Sequence, residues 1–218
     1  MRTPSQTFAD EWQAKQYDHC MKLVDQFGLE QSNALFWVVY SGHAPSGWID
    51  KIKNDPISDK NLVMALSLLM CQQASPAKTE LLVALIEKLE PNVIEKEHMF
   101  HRASQANCVE SLQLLFKKYP TFNIESVNDK GMTCLGLALK HMRMETTVFL
   151  YKKGASEHTE VRHPRLGNMM SVFQLARTDN TSKLEEFKAF HKSAVDKSSI
   201  EKALDERPSK KGKSKKKM

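Results

Sequence analysis

Two histidines of this chain, His98 and His101, stand one helical turn apart, a spacing at which two imidazoles could share a metal ion. No carboxylate or cysteine motif completes a ligand set at a recognisable spacing. The stretch Gly42-His-Ala-Pro-Ser-Gly47 has the two-glycine spacing of a phosphate-binding loop, but Trp48 and Ile49 stand where Lys and Ser or Thr would hold phosphate and magnesium. The sequence therefore predicts no metal site and no cofactor.

Cysteine and histidine lie near each other in the sequence at His19 and Cys20, and again at Cys134 and His141. A cysteine nucleophile needs an adjacent base that a third group orients, and neither pair belongs to such a motif. The sequence also has no G-x-S-x-G, no paired-carboxylate motif and no dinucleotide fingerprint. These observations predict a protein that is not an enzyme.

The elements that would position these residues are clearest between Asn128 and Ala155, where a turn precedes two helices. Gly131 suits a tight turn with positive φ, and Thr133 can cap the helix that follows. Leu135 and Ala138 are three residues apart on one helical face. Because alanine is small, a second helix can approach closely there.

This stretch resembles one ankyrin repeat, in which D-x-x-G-x-T-P-L-H-x-A precedes x-E, L-L and G-A. Val148 to Leu150 supply the apolar stripe of the second helix, and Gly154 can end it as a left-handed C-cap. Three residues depart from the family pattern: Cys134 replaces Pro, Gly136 replaces His and Met142 replaces Gly. We expect these departures to make the repeat less stable than a consensus repeat.

A single ankyrin repeat cannot bury its own apolar face, so neighbouring repeats are expected. An upstream offset of 35 positions aligns four residue pairs, namely Phe100 with Leu135, Ala103 with Ala138, Glu110 with Glu145, and Leu115 with Leu150. A downstream offset of 38 positions aligns Phe173 with Leu135 and Ala176 with Ala138. The additional downstream residues fall between Ser156 and Met170, which predicts an elongated loop there. Ser182 to Glu185 can form a capping box for the second helix of this repeat.

Further upstream, helix pairs of similar length continue without the ankyrin signature. Asn61 to Gln73 and Pro76 to Leu89 are two apolar-periodic segments, divided by a cap and a first-turn proline at Ser75-Pro76. Ser32 to Tyr40 and Ser46 to Lys53 form another candidate pair. The sequence thus predicts an all-α protein, an α-solenoid of about five to six ankyrin-like helix pairs. Its predicted parts are divergent repeats or an N-terminal cap (1–92), ankyrin-like repeats (93–190), a capping helix (191–207) and a tail (208–218).

Composition favours a helical protein of the cytosol. Eight glycines and eight prolines in 218 residues are few for an all-β protein with many turns, and no period-2 alternation persists. The apolar run Leu62 to Cys71 is too short to span a bilayer, and Met1 to Thr7 carry no apolar signal region. Four scattered cysteines, at 20, 71, 108 and 134, are typical of reduced thiols rather than of a disulfide framework.

The net charge of the chain is concentrated at its C-terminal end. Six lysines and no acid follow Arg207: Lys210, Lys211, Lys213, Lys215, Lys216 and Lys217. This leaves 26 of the 32 basic residues to balance 26 acidic residues, so the body is neutral. A tract of Lys, Ser and Gly has nothing to bury, which predicts a disordered tail. Such a tail could act as a nuclear import signal, a contact with nucleic acid or anionic lipid, part of a secretion signal, or only a solubilising end.

Aromatic residues are concentrated in the N-terminal third: Trp12, Tyr17, Phe27, Phe36, Trp37, Tyr40 and Trp48. They could be exposed anchors for a partner. We favour a core, because Leu35, Phe36, Val39 and Tyr40 recur at helical spacing and large aromatics dominate cores.

The ankyrin resemblance implies a non-enzymatic adaptor that binds another protein through a concave surface. By the same resemblance, the partner contacts the loop tips and the exposed end of the first helix. In the best repeat these positions are Asp129, Lys130, Met132, Lys140, His141 and Arg143. Around the other repeats they are Glu95, Glu97, Gln105, Ala106, Met170, Thr178 and Asp179. Met132 would be an apolar anchor, while Lys130, Lys140 and Arg143 would attract an acidic segment.

Two other classes of function stay open on the sequence. In one, the lysine tail drives association with nucleic acid or an anionic membrane. In the other, the chain is a secreted bacterial effector acting in the host cytosol, with an unrecognised activity in its N-terminal region. About ninety residues of short helix pairs without a motif leave little room for a separate active site.

Overall fold

The computed structural model describes residues 3–31, 34–41, 47–73, 75–163 and 167–205. The N-terminal half contains seven helices: α1 Pro4–Gln13, α2 Tyr17–Gln31, α3 Ala34–Ser41, α4 Trp48–Asn54, α5 Asp59–Met70, α6 Pro76–Lys88 and α7 Pro91–Lys96. The following elements are α8 Met99–Gln105, α9 Val109–Lys118, α10 Cys134–Lys140, α11 Met144–Lys152, β1 Glu160–Arg162, β2 Met169–Ser171, α12 Val172–Asp179, a 3-10 turn Thr181–Lys183 and α13 Leu184–Asp205. The chain is mainly helical, as predicted. The lysine tail and most of the stretch that resembles a phosphate-binding loop, residues 42–46, lie outside the described residues.

Apart from α7, which contacts α8, the described helices after α2 pack in two rows. In the first row, α3 contacts α5, α5 contacts α8, α8 contacts α10, and α10 contacts α12. In the second row, α4 contacts α6, α6 contacts α9, α9 contacts α11, and α11 contacts α13. Three pairs also join the rows directly, namely α5 with α6, α8 with α9 and α10 with α11. None of the helices within the described ranges has the length and apolar character needed to cross a bilayer.

The local signals that predicted these helices are visible in their caps. The hydroxyl of Ser75 accepts a hydrogen bond from the Lys78 amide at the start of α6, and Thr133 accepts from Gly136 at the start of α10. Gly154 has φ 91°, the left-handed conformation expected of a C-cap after α11. The capping box predicted at Ser182 to Glu185 is wrong, because Ser182 lies inside the 3-10 turn that leads directly into α13. A capping box joins Ser171 and Gln174 at the start of α12 instead.

The core lies between the two rows and contains the alanines and leucines that the offsets aligned. Ala103, Ala138 and Ala176 are completely buried on the first row, and so are Leu115 and Leu150 on the second. The predicted burial of Ala138 is therefore confirmed. Each small alanine allows the helices around it to approach closely.

The same backbone turn joins the rows in two successive pairs. Asn107 and Met142, 35 residues apart, both adopt positive φ, at 60° and 49°. The next amide donates to a carbonyl five residues back in each case, Cys108 to Ala103 and Arg143 to Ala138. Asparagine tolerates this conformation better than other non-glycine residues, whereas methionine is strained in it. Met142 is thus held in a conformation that favours glycine.

A short hairpin occupies the segment predicted to be an elongated loop. Strands β1 and β2 pair antiparallel, with Val161 opposite Met170. Three-residue strands are too short to show a period-2 pattern, which is why the sequence did not predict them. Helix α13 runs without interruption from Leu184 to Asp205, across the predicted boundary at residue 191.

The N-terminal aromatics divide into two groups. Trp12 and Trp48 are buried with Phe8, and their ring centroids lie 5.5 Å apart. The prediction of a core is confirmed for these residues. It is wrong for Tyr40, which is 64% exposed and stacks on the half-buried Phe36 at the surface of α3.

Candidate binding groove

Polar side chains connect neighbouring helix pairs at the ends of the first-row helices. The side-chain amide of Asn107 donates to the Glu145 carboxylate at 2.7 Å, and its oxygen accepts from the Thr146 hydroxyl at 3.0 Å. The bond from Asn107 is the main reason that the pKa of Glu145 is lowered. Asn107 therefore fastens the α8–α9 pair to the α10–α11 pair.

Several predicted partner-contact residues are engaged in the same kind of connection. Lys140 forms an ion pair with Asp179 at 2.9 Å, and Asp129 lies 3.0 Å from the Nε2 atom of His98. Arg143 donates through Nε to the backbone oxygen of Gln105 at 3.2 Å. These charges link one helix pair to the next, so reversing them would remove contacts between the pairs as well as change a binding surface.

Met132 was predicted to be an exposed apolar anchor, and this prediction is wrong. Its side chain is only 4% exposed. A Cβ atom built on Gly136 would lie 3.5 Å from the Met132 methyl carbon and 3.3 Å from Val172. The absence of a side chain at Gly136 gives Met132 and Val172 room to cover α10, which has every residue from Cys134 to Leu139 buried.

The other predicted contact residues lie at or near the surface. The exposed ones are Glu95, Gln105, Lys130, His141, Arg143 and Thr178, and the partly buried ones are Glu97, Ala106 and Met170. The pKa of His141 is lowered by desolvation and by the cations Lys140 and Arg143. The structure brings four of these residues together in one recess: Glu97, Gln105, Ala106 and Arg143.

That recess is a groove over the first row, upstream of the repeat that best matches the ankyrin pattern. Its larger part has a volume of about 600 Å³ and lies between α5, α7 and α8. A second part of about 520 Å³ continues past Ser67 and Arg102 to Arg143. We call the two parts together the inner groove.

The floor of the inner groove is an apolar stripe of α5. Met64 is 41% exposed, Leu68 is half-buried, and Cys71 is exposed at the far end of the helix. Nine of the ten residues from Leu62 to Cys71 are apolar, a composition typical of a buried helix, so the sequence does not distinguish this surface from the core.

The rim of the inner groove carries more positive than negative charge. Lys60, Lys96, Arg102 and Arg143 line it, against Asp59 and Glu97. The Arg102 guanidinium lies 3.3 Å from the Glu97 carboxylate and also donates to its backbone oxygen at 2.7 Å. Within the part of the chain that the structure describes, no ion pair involves Lys60 or Lys96.

The histidines considered as metal ligands have separate partners. His98 faces Asp129, and His101 bonds through Nε2 to the Ser126 carbonyl at 3.0 Å. Because a carbonyl can only accept, the Nε2 atom of His101 carries the proton. Burial lowers the pKa of His101 to about 4, with the Ser126 bond opposing the shift. Among the described residues, no three His, Cys, Asp or Glu side chains gather as a metal site.

The cysteines considered as nucleophiles are buried thiols. Burial raises the pKa of Cys20 to about 11 and that of Cys134 to about 12. Such thiols are protonated at neutral pH and react slowly. All four cysteines are free, as predicted, and Cys71 is the exposed one.

Comparisons of the chain with protein-family models, with curated proteins and with solved structures find no match.

The Asn107 connection leads to a prediction about stability. We expect Asn107→Ala to lower the free energy of unfolding by about 2 kcal/mol, because it removes the bonds to Glu145 and Thr146 and places alanine at positive φ. Asn107→Gly should lower the free energy of unfolding by a smaller amount, since glycine accepts positive φ without strain. Urea unfolding followed by circular dichroism measures both, with the exposed Gln113→Ala on α9 as control. Equal stability of Asn107→Ala and the control would show that Asn107 does not fasten the two pairs.

Proposed function

We propose that this chain is a non-enzymatic adaptor, an ankyrin-like solenoid of the cytosol that holds another protein in its inner groove. The observation that carries the proposal is the exposed apolar stripe of α5, which lies in a concave surface with a charged rim. Exposed apolar surface with a polar border is typical of protein-interaction sites.

The packing of the helices supports the solenoid. Each helix of a row contacts the next helix of that row, and the Asn107 and Met142 turns repeat at an interval of 35 residues. Side chains from one pair also bond to the end of the previous second-row helix. Lys118 donates to the carbonyls of Ile86 and Leu89, and Lys88 donates to that of Asp55. Nearest-neighbour contacts of this kind are how repeat proteins are stabilised.

Cys71 allows the partner to be found. A photoreactive maleimide should label Cys71 selectively, since the other three thiols are buried. Illumination in a cell extract would then join the groove to whatever occupies it, and mass spectrometry would identify that protein.

Binding to the captured protein would then be measured with two matched variants. We expect Met64→Glu to weaken affinity about tenfold or more, because it places a charge on the apolar floor. Met169→Glu changes a methionine on β2 that is 57% exposed and lies outside the groove, and it should bind like the wild type. Equal affinities of both variants and the wild type would overturn the groove proposal.

The lysine tail offers the competing function, and the same assay separates it. Deletion of Pro208 to Met218 should leave affinity for the captured protein nearly unchanged. Binding that depends on the tail would disappear with the deletion and would weaken steeply with salt. That result would instead support association with nucleic acid or an anionic membrane.

A further inference from the structure

The two sides of the inner groove present apolar and cationic groups in a fixed order. On α5, Lys60, Met64 and Leu68 are spaced four residues apart, so they form one line along the helix. The opposite side carries Lys96 at the end of α7 and Arg102 on α8. A segment lying between α5 and the α7–α8 side would therefore contact the apolar Met64 and Leu68 and would lie near the cations Lys60, Lys96 and Arg102.

The positive charge of the rim is not part of a general excess of positive charge on the body. The body outside the lysine tail is neutral, with 26 basic and 26 acidic residues. Arg102 is partly neutralised by Glu97, but no described residue forms an ion pair with Lys60 or Lys96. A negatively charged ligand that binds near these two ammonium groups would therefore be attracted most strongly.

The apolar floor argues for a polypeptide rather than a nucleic acid or a membrane. A membrane surface is too broad to enter a concave recess, and a phosphate backbone gains nothing from Met64 and Leu68. A peptide can supply both an apolar side chain for the floor and carboxylates for the rim.

We infer that the inner groove binds an acidic segment of its partner, with an apolar side chain on Met64 and Leu68 and carboxylates facing Lys60 and Lys96. The inference rests on the proposed function and specifies the chemistry of the partner. Lysine and methionine side chains are flexible, so the groove selects charge and apolar character more than a fixed sequence.

A display library of random peptides of about twelve residues tests this selection, since a chain of that length spans α5 in either a helical or an extended conformation. The full chain is immobilised at about 0.15 M salt, at which long-range attraction to the tail is screened. Wild-type protein should enrich peptides that have net negative charge and at least one large apolar residue. The double variant Lys60→Glu, Lys96→Glu should retain those peptides about tenfold less well. The control double variant Lys117→Glu, Lys192→Glu makes the same change in charge at exposed positions outside the groove and should retain them fully.

Alkylation of Cys71 by N-ethylmaleimide then reports where the enriched peptides bind. A peptide in the groove should slow the reaction several-fold, since Cys71 lines its second part. Enriched peptides that protect Cys71 but carry no negative charge would overturn the acidic specificity and leave the groove proposal standing. Acidic peptides that bind the Lys60, Lys96 variant equally well and leave Cys71 reactive would overturn both.

Discussion

Replacement of Ala138 by glutamate is expected to lower the free energy of unfolding by about 3–5 kcal/mol. Ala138 is completely buried on α10, and α10 packs against α8, α11 and α12. A carboxylate at this position would lose its hydration and would displace the helices that a small residue allows to approach. It would either stay charged without a partner or take up a proton, and both alternatives cost free energy.

Chemical denaturation followed by circular dichroism measures the effect, and Ala189→Glu is its matched control. Ala189 is exposed on α13, so its replacement should change stability by no more than about 0.5 kcal/mol. Ala103→Glu and Ala176→Glu should resemble Ala138→Glu, because the three alanines are equally buried. An unchanged unfolding midpoint for Ala138→Glu would show that the packing of the helix pairs is misassigned.

The helices and their caps could be predicted from the sequence because their signals are local. Ser75, Thr133 and Gly154 act within a few residues of their own positions, and each caps a helix as expected. The alignment of Ala103 with Ala138 was informative for a similar reason, since burial between helices needs a small residue at a fixed place in each pair.

The groove could not be located in this way because it depends on contacts between distant segments. Met132 precedes a helix and looks like a loop residue, but the missing side chain of Gly136 lets it fold over α10. Met64 follows the apolar pattern of a core helix, and only the spacing between α5 and α8 leaves it uncovered. Lys140 and Asp179 look like separate surface charges, although they form an ion pair across 39 positions.

Acidification is expected to reveal a large contribution of His101 to stability. Its pKa is about 4 in the folded protein, against an ordinary value of 6.5, so the unfolded chain takes up a proton in this interval and the folded chain does not. The stabilisation is therefore complete above pH 6.5 and is lost as the pH falls towards 4, by up to about 3 kcal/mol. The physical cause is the buried Nδ1 atom, which has no hydrogen-bond partner and would receive the charge.

The variant His101→Gln separates this effect from the titration of carboxylates. A glutamine amide can donate to the Ser126 carbonyl as His101 does, but it does not titrate in this range. Between pH 6.5 and 4, we expect the free energy of unfolding to depend less steeply on pH in the variant than in the wild type. The two slopes should differ by about 1.4 kcal/mol per pH unit where the folded and unfolded wild-type chains differ by one bound proton. His158→Gln is the control, because the side chain of His158 is 85% exposed, and it should keep the wild-type slope. Urea unfolding across this pH range measures all three proteins. An unaltered slope in His101→Gln would mean that the folded protein accommodates a charged imidazole at this position, and that the contact of α8 with the loop at Ser126 opens on acidification.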